Sequence, residues 1–264
     1  MKKLLLASSA LMMSGSVFAA DLPGRMPVRA PIAAPVPFSW TGCYVGGHIG
    51  AGWGRTEYSE PGFGDIAPLG GGSIDLDHQA SVVGGAQVGC DYQFASNWVI
   101  GVAGDFSWAD IDGQATDPFF SGKFGNPITL HARTDELATV TGRLGYAWDR
   151  FMLYGKGGFA WSHNKYSLDN LGTFNGNLCS TGVFVACNPT GSEDRTGSTA
   201  GVGIEWAFLN NWSAMVEYDH YGFGTRSVTF VEPNGTPTTG HFDIKQDVDV
   251  VKVGLNYRFT GLLR

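Results

Sequence analysis

From Trp98 to Trp108 large apolar side chains or Gly recur at every second position. Trp98, Ile100, Val102, Gly104, Phe106 and Trp108 fall on one face, and Gly101, Ala103, Asp105 and Ser107 on the other. A period of two is that of an extended strand, whose successive side chains point to opposite sides. The same pattern returns at Ala138, Val140, Leu144, Tyr146 and Trp148 against Thr139, Thr141, Arg143 and Gly145. Val202, Ile204, Trp206 and Phe208 oppose Gly203 and Glu205, and Val253, Leu255, Tyr257 and Phe259 oppose Lys252, Gly254, Asn256 and Arg258. Eight such segments are predicted, at about 41–54, 80–94, 98–110, 135–148, 151–162, 197–208, 212–223 and 247–259. Their links alternate in size. Ala95-Ser96-Asn97, Asp149-Arg150 and Leu209-Asn210-Asn211 are tight turns, whereas 55–79, 111–134, 163–196 and 224–246 are long and rich in Gly, Pro, Asn, Thr and Asp. Short turns at one end and long loops at the other mark an outer-membrane barrel.

The fold this predicts is all-β: a closed eight-stranded antiparallel transmembrane β-barrel with four long extracellular loops and short periplasmic turns. The apolar face carries aromatics at the strand ends next to the short turns, namely Trp40, Tyr92, Phe94, Trp98, Tyr146, Trp148, Phe151, Phe208, Trp212, Tyr257 and Phe259. Amphipathic rings favour a membrane interface, so this face meets lipid and the small and charged face fills the interior. Asp91, Asp105, Arg143, Lys156, Glu205, Glu217, Lys252 and Arg258 all fall on interior registers. Two readings of that set stand side by side: a charged constriction that conducts ions, or buried ion pairs that fill a closed interior. Eight strands leave little aqueous space, which favours the second.

Composition and the chain ends add the compartment. Met1-Lys2-Lys3, an apolar run from Leu4 to Met13 and the small-residue stretch ending at Val17-Phe18-Ala19 read as a signal peptide, 1–19, cleaved after Ala19. Loss of Lys2 and Lys3 takes the formal charge from −7 to −9, an acidic balance that argues against nucleic acid as a partner. Prolines 23, 27, 31, 35 and 37 make 20–38 an extended periplasmic spacer. The barrel is expected over 39–260, with a short tail at 261–264. After the signal, the longest charge-free apolar stretch, about Trp98 to Gly104, is far below the ~18 residues of a membrane helix.

The last strand, Lys252-Val253-Gly254-Leu255-Asn256-Tyr257-Arg258-Phe259, resembles the C-terminal assembly signal of outer-membrane barrels, with Lys252, Gly254, Tyr257 and Phe259 in the signal positions. That resemblance implies the barrel-assembly machinery as its reader during insertion; it departs from the pattern in that Thr260 to Arg264 follow the Phe. A wider resemblance rests on Trp40-Thr41-Gly42-Cys43-Tyr44-Val45-Gly46-Gly47, on Gly84-Gly85-Ala86-Gln87-Val88-Gly89 ahead of Tyr92-Gln93-Phe94, on Gly142-Arg143-Leu144-Gly145-Tyr146, and on Asn211-Trp212-Ser213-Ala214 ahead of Glu217-Tyr218. In this order the motifs resemble the RopB-like small outer-membrane proteins of rhizobia and brucellae. The resemblance implies an OmpA-like eight-stranded barrel and a surface component of the envelope. Some members of that group are described as porin-like or haemin-binding.

Candidate chemistry is sparse. Cys43, near the start of the first strand, and Cys90, near the end of the second, are brought together by antiparallel pairing, and an oxidising compartment permits a disulfide between them. Cys179 and Cys187 are expected to clip the third long loop. The six histidines, His48, His78, His131, His163, His220 and His241, show no metal-ligand spacing, so no metal or cofactor is expected, although several lie in or near the long loops where haem contact is conceivable. A lipid-modifying enzyme is conceivable from Asp219 and His220, but adjacent strand residues face opposite ways. Runs such as Gly155-Lys156-Gly157 lack the helix a phosphate loop needs. The expected function is a structural, surface-exposed envelope protein without enzymatic activity, with a small porin-like channel as the alternative, and a lipid-modifying enzyme or haem-binding surface protein behind that. Its expected partners are outer-membrane lipid and lipopolysaccharide, with host or phage surfaces meeting the loops.

Overall fold

The computed structural model describes residues 38–59, 73–77, 79–116, 129–169, 188–231, 235 and 237–259. The signal peptide, nearly all of the spacer, the tail and the Cys179–Cys187 pair lie outside these residues. The strands are β1 (Gly42–Ser59), β2 (Ser73–Asp77), β3 (Ser81–Phe94), β4 (Trp98–Thr116), β5 (Thr129–Trp148), β6 (Phe151–Asp169), β7 (Thr190–Trp206), β8 (Trp212–Val231) and β9 (Pro237–Phe259). Each of β3 to β9 pairs antiparallel with its neighbour in sequence, and β1 pairs with both β3 and β9, which closes a ring of eight. The short β2 continues the path of β3 upward along β1, with Arg55 opposite Asp77 and Ser59 opposite Ser73.

Following paired residues around the ring fixes the tilt. Cys43 pairs with Cys90, Cys90 with Val102, and so on through Gly142, Gly157, Ala200, His220 and Asp249 to Trp53. The ring therefore returns to β1 ten residues above where it began. Such stagger is what closing a tilted sheet demands.

The alternation read from the sequence is the alternation of the wall. Ile100, Val102, Phe106 and Trp108 are exposed on β4 while Val99, Asp105 and Ser107 are buried, and β5 to β9 repeat the pattern. Two rows of aromatics bound the apolar outer band. The lower holds Trp98, Tyr146, Trp148, Phe151, Trp206, Trp212 and Phe259, and the upper holds Trp53, Trp108 and Trp161. On β4 the rows stand ten residues apart, roughly the 25 Å apolar height of a membrane barrel once tilt is allowed for.

Two expectations need correcting. The strands run far past the upper aromatic row, to Ser59, Thr116, Asp169 and Val231 on one set of ends and from Thr129, Thr190 and Pro237 on the other. Much of 55–79, 111–134, 163–196 and 224–246 is thus strand, because interior side chains such as Tyr58, Ile111, Leu130, Tyr166 and Ile244 form an apolar core there too. Trp40 is the second. It lies outside the lower aromatic row and is fully buried beneath the barrel with Val99, Ala147, Met152, Tyr154 and Ala207. Gly42, at φ +146°, breaks the strand geometry between it and β1, and a Cβ at that position would lie 2.8 Å from the Phe259 carbonyl oxygen.

Candidate functional site: the filled interior

The interior is stacked in layers. At the periplasmic end Trp40 closes the ring, its Nε1–H donating to the Asp149 carbonyl at 3.2 Å and its own carbonyl accepting from Arg258 Nη1 at 2.6 Å. Above it lies a four-charge layer. Arg258 Nη2 meets Asp91 Oδ2 at 3.0 Å and Arg143 Nη2 meets Glu205 Oε2 at 2.9 Å. Arg143 Nε lies 3.5 Å from Asp91 Oδ1, and Arg258 Nη2 lies 3.6 Å from Glu205 Oε1, so the four form a cycle. Aromatic walls hold the guanidinium groups in place. Arg143 stacks 4.0 Å from the Tyr154 ring centre and donates to Tyr44 Oη at 2.6 Å. Ser213 Oγ donates to Glu205 Oε1 at 2.6 Å.

The next layer holds five charges. Lys156 Nζ lies 2.7 Å from Glu217 Oε1, 3.1 Å from Asp219 Oδ1 and 3.5 Å from Asp105 Oδ2. Lys252 Nζ reaches the same three groups at 3.0, 2.9 and 3.3 Å. Thr139 also donates to Asp105, and Tyr154 Oη donates to Glu217 Oε2 at 2.6 Å, tying this layer to the one below. A second tie runs through His48, whose Nδ1 lies 2.5 Å from Gln87 Oε1 and whose Nε2 lies 2.8 Å from Ser107 Oγ. Gln87 Nε2 donates to Asn256 Oδ1, and Asn256 Nδ2 donates to Glu205 Oε1. Close backbone approach packs the layers. A Cβ on Gly201 would collide with Asp219 Oδ1, so glycine there leaves room for that carboxylate between two ammonium groups.

Above the charges sits an apolar layer of Val83, Ile111, Leu137, Tyr221, Phe223 and Val248. A polar belt follows, in which Gln246 Nε2 donates to Thr134 Oγ1 at 2.8 Å and Arg195 Nη1 donates to the Ile244 carbonyl at 2.9 Å. The extracellular mouth is filled by Tyr58, Leu76, Leu130, Tyr166, Leu168, Phe230 and Ile244. Between the two charged layers remains a void of about 20 Å³ lined by Tyr44, Gln87, Asp105, Arg143, Lys156 and Glu217, room for one water.

All eight residues assigned to the interior from the sequence are buried there: Asp91, Asp105, Arg143, Lys156, Glu205, Glu217, Lys252 and Arg258. Asp219, Arg195, His48, Tyr44 and Tyr154 join them unannounced. Asp219 was legible, being two residues from Glu217; Arg195 was hidden in a stretch read as loop. Asp219 faces the interior while His220 faces out and pairs with Asp249 at 2.8 Å, so the two share no site. On the outer wall above the membrane band, His131 lies 3.2 Å from Asp169 and His163 lies 2.7 Å from Asp194. Among the described residues no cluster of His, Cys, Asp and Glu is disposed to hold a metal ion. Cys43 and Cys90 form a disulfide on the outer face near the periplasmic turns.

A closed ring of eight tilted strands, a lipid-facing belt bounded by aromatic rows and a charged, filled interior define an outer-membrane β-barrel protein. The chain belongs to the family described as outer membrane protein beta-barrel domain, which it matches over residues 7–259. It is 33% identical to the 31 kDa outer-membrane immunogenic protein of Brucella melitensis biotype 1 across 98% of this chain and all of the relative. The 25 kDa outer-membrane immunogenic protein of Brucella abortus biovar 1 is 28% identical across 98% of this chain and 99% of that one. Among solved structures, the attachment invasion locus protein Ail of Yersinia pestis aligns with 82% of this chain and 99% of its own, at 15% identity and a TM-score of 0.36. The Escherichia coli outer membrane protease OmpT aligns with 85% and 99%, at 12% identity and a TM-score of 0.46. The protein therefore resides in the outer membrane.

Proposed function

We propose that this protein is a non-enzymatic structural component of the envelope, a membrane anchor that carries a β-walled extension above the outer leaflet. One observation carries this reading: every level of the interior is filled, by Trp40, by two layers of ion pairs and by two apolar layers. A conducting route needs a continuous file of water, and the void between the charged layers holds about one molecule. The extension meets lipopolysaccharide and, beyond it, host or phage surfaces. Insertion follows export by a leader cleaved after Ala19, the 20–38 segment serving as a periplasmic spacer, with Lys252, Gly254, Tyr257 and Phe259 as the assembly signal. In planar bilayers the purified protein is expected to show no openings above leak. Stable unitary steps would establish a pore instead.

A further inference from the structure

The ladder between β7 and β8 is broken where the barrel rises past the upper aromatic row. Thr190 pairs with Val231 and Ser198 with Gly222, and no residue between them is paired across that seam. Eight steps on β7 face nine on β8, so β8 carries one residue too many and bows away from its neighbour. The bow is visible in the side chains. Gly224, at φ +65°, starts a run in which Gly224, Thr225, Arg226 and Ser227 are all exposed, where a flat strand would bury every second one. β7 keeps its partners on the β6 side throughout, with Arg195 opposite Ser162 and Glu193 opposite Asn164. Its other edge lacks ladder partners over 191–197, with β8 returning to contact at Gly191 and at Gly197 and leaving 192–196 between them.

Side chains, rather than backbone, hold the two strands at this level. Outside, Arg226 Nη2 reaches Thr196 Oγ1 at 3.4 Å. Inside, Arg195 is fully buried and spans behind β8 to donate to the Ile244 carbonyl of β9 at 2.9 Å, with Nε on Glu193 at 3.2 Å. Among the described residues its Nη2 has no partner, nor has Thr199 Oγ1 four residues on, although both side chains are buried. A guanidinium that already takes one backbone carbonyl across the gap, with a donor to spare, is matched to a second carbonyl. Open ladder groups on a strand edge are completed by another extended chain, which supplies N–H and C=O at the same repeat. The surrounding outer wall sets the charge of that chain. Asp194 on β7 and Asp243, Asp247 and Asp249 on β9 face outward against Arg226 and Lys245. An open groove of about 750 Å³ on the outer wall runs past the top of the seam, lined by Thr190, Gly191, Thr229 and Val231 at the seam and by Arg133 and Lys165 with Asp112 and Asp169 on the far side, so the acidic character belongs to the β7–β9 side alone.

We propose that the β7 edge between Thr190 and Ser198 is a strand-addition site for an extended, cationic segment of a partner protein. The inference rests on this end of the barrel facing outward, as the envelope reading has it, but its test does not.

Hydrogen–deuterium exchange on the full-length protein in lipid nanodiscs reads the seam directly. In the free protein, alternate amides from Ser192 to Thr196 should exchange about tenfold or more faster than amides at the same height in Asn164–Ser167 of β6. An acetylated peptide of about eight alternating Lys and Thr residues should slow them again by about tenfold. A Lys-Pro peptide of equal charge, which lacks half the N–H groups, and a Glu-Thr peptide should not. Replacing the exposed Asp194 and the half-buried Asp243 by Lys, singly, should weaken the Lys-Thr effect without altering exchange in the free protein. Equal protection of β7 and β6 in the free protein would overturn the proposal, because no edge would then be open. So would an equal effect of the Lys-Pro peptide, which would mean charge attraction without strand pairing, or protection by lipopolysaccharide core oligosaccharide with none by Lys-Thr. Purified protein is used, so any of these outcomes bears on the seam alone and leaves the conductance test of the envelope reading untouched.

Discussion

Lys252 shows how much one side chain carries in a closed interior. It faces Asp105, Glu217 and Asp219 within 3.3 Å, and among the described residues Lys156 is the only other cation in that layer. Removing one partner of a buried ion pair leaves its opposite charge uncompensated, which costs about 3–5 kcal/mol. Lys252→Met is therefore expected to lower stability by that order in urea unfolding from lipid vesicles followed by tryptophan fluorescence. Adding Glu217→Gln should restore a large part of it, since the pair is then removed as a unit. A cost under about 1 kcal/mol would mean the layer is open to water, as surface pairs are. The interior set was legible from the sequence because alternation assigns a face to every residue once one face is known. Asp219 lay within reach of that rule, and Arg195 did not, because a charged residue among Gly, Ser and Thr reads as loop until its register is known. Trp40 misled for a different reason: alternation holds only along unbroken strand, and Gly42 interrupts it.

At the level of strands, the sequence marks the membrane-crossing segments and understates the rest. Inside the bilayer one face must be apolar without exception, and the pattern is clean. Above it the outer face meets water, polar residues appear on both sides of the pattern, and strand resembles loop. The β5–β6 hairpin shows what stabilises such an extension. At Asp135 a bulge inserts one residue between Thr134, opposite Asn164, and Glu136, opposite His163, and gathers Arg133 and Lys165 around its carboxylate, at 2.8 and 2.5 Å. Partial burial alone would push the Asp135 carboxyl up; the Lys165 hydrogen bond and the charges of Lys165 and Arg133 outweigh it and hold the carboxyl below the usual range. A carboxylate depressed in the folded state contributes stability above its unfolded value of about 3.9 and loses it as pH falls through the lower folded value. Amide exchange in this hairpin should thus stay level from pH 8 to about 5 once corrected for intrinsic rates, and loosen only below about 4, with Asp135→Asn removing that step. The first hairpin is secured covalently instead. The Cys43–Cys90 disulfide closes a separation of 47 residues, worth about 4 kcal/mol in the loop-entropy account. Cys43→Ser with Cys90→Ser should shift the urea midpoint down by a corresponding amount, and a reductant should lower the wild type further than the double variant, in which only Cys179 and Cys187 remain to be reduced.

Across the whole molecule the layers act in series, and this decides how a channel would have to open. Conduction through stacked obstructions is limited by the tightest, so removing any one leaves the others in place. Trp40 makes the sharpest test, because it is the largest fully buried side chain among the described residues and centres the cluster that closes the periplasmic end. Trp40→Ala should cost about 3–5 kcal/mol, as large aromatic truncations in a core do. It should open the lower end as far as the Arg143, Glu205, Asp91 and Arg258 cycle and no further. Above that cycle stand the lysine layer and then Tyr221, Phe223 and Leu137, an apolar stretch in which no side chain is charged. An ion crossing there would leave water for a medium without ligands, a far larger penalty than loss of the tryptophan removes. Trp40→Ala is accordingly expected to unfold at lower urea yet stay at leak level in planar bilayers. Stable openings from this one substitution would mean that the layers above already admit water, and that the tryptophan, rather than the stacked interior, had been holding the barrel shut.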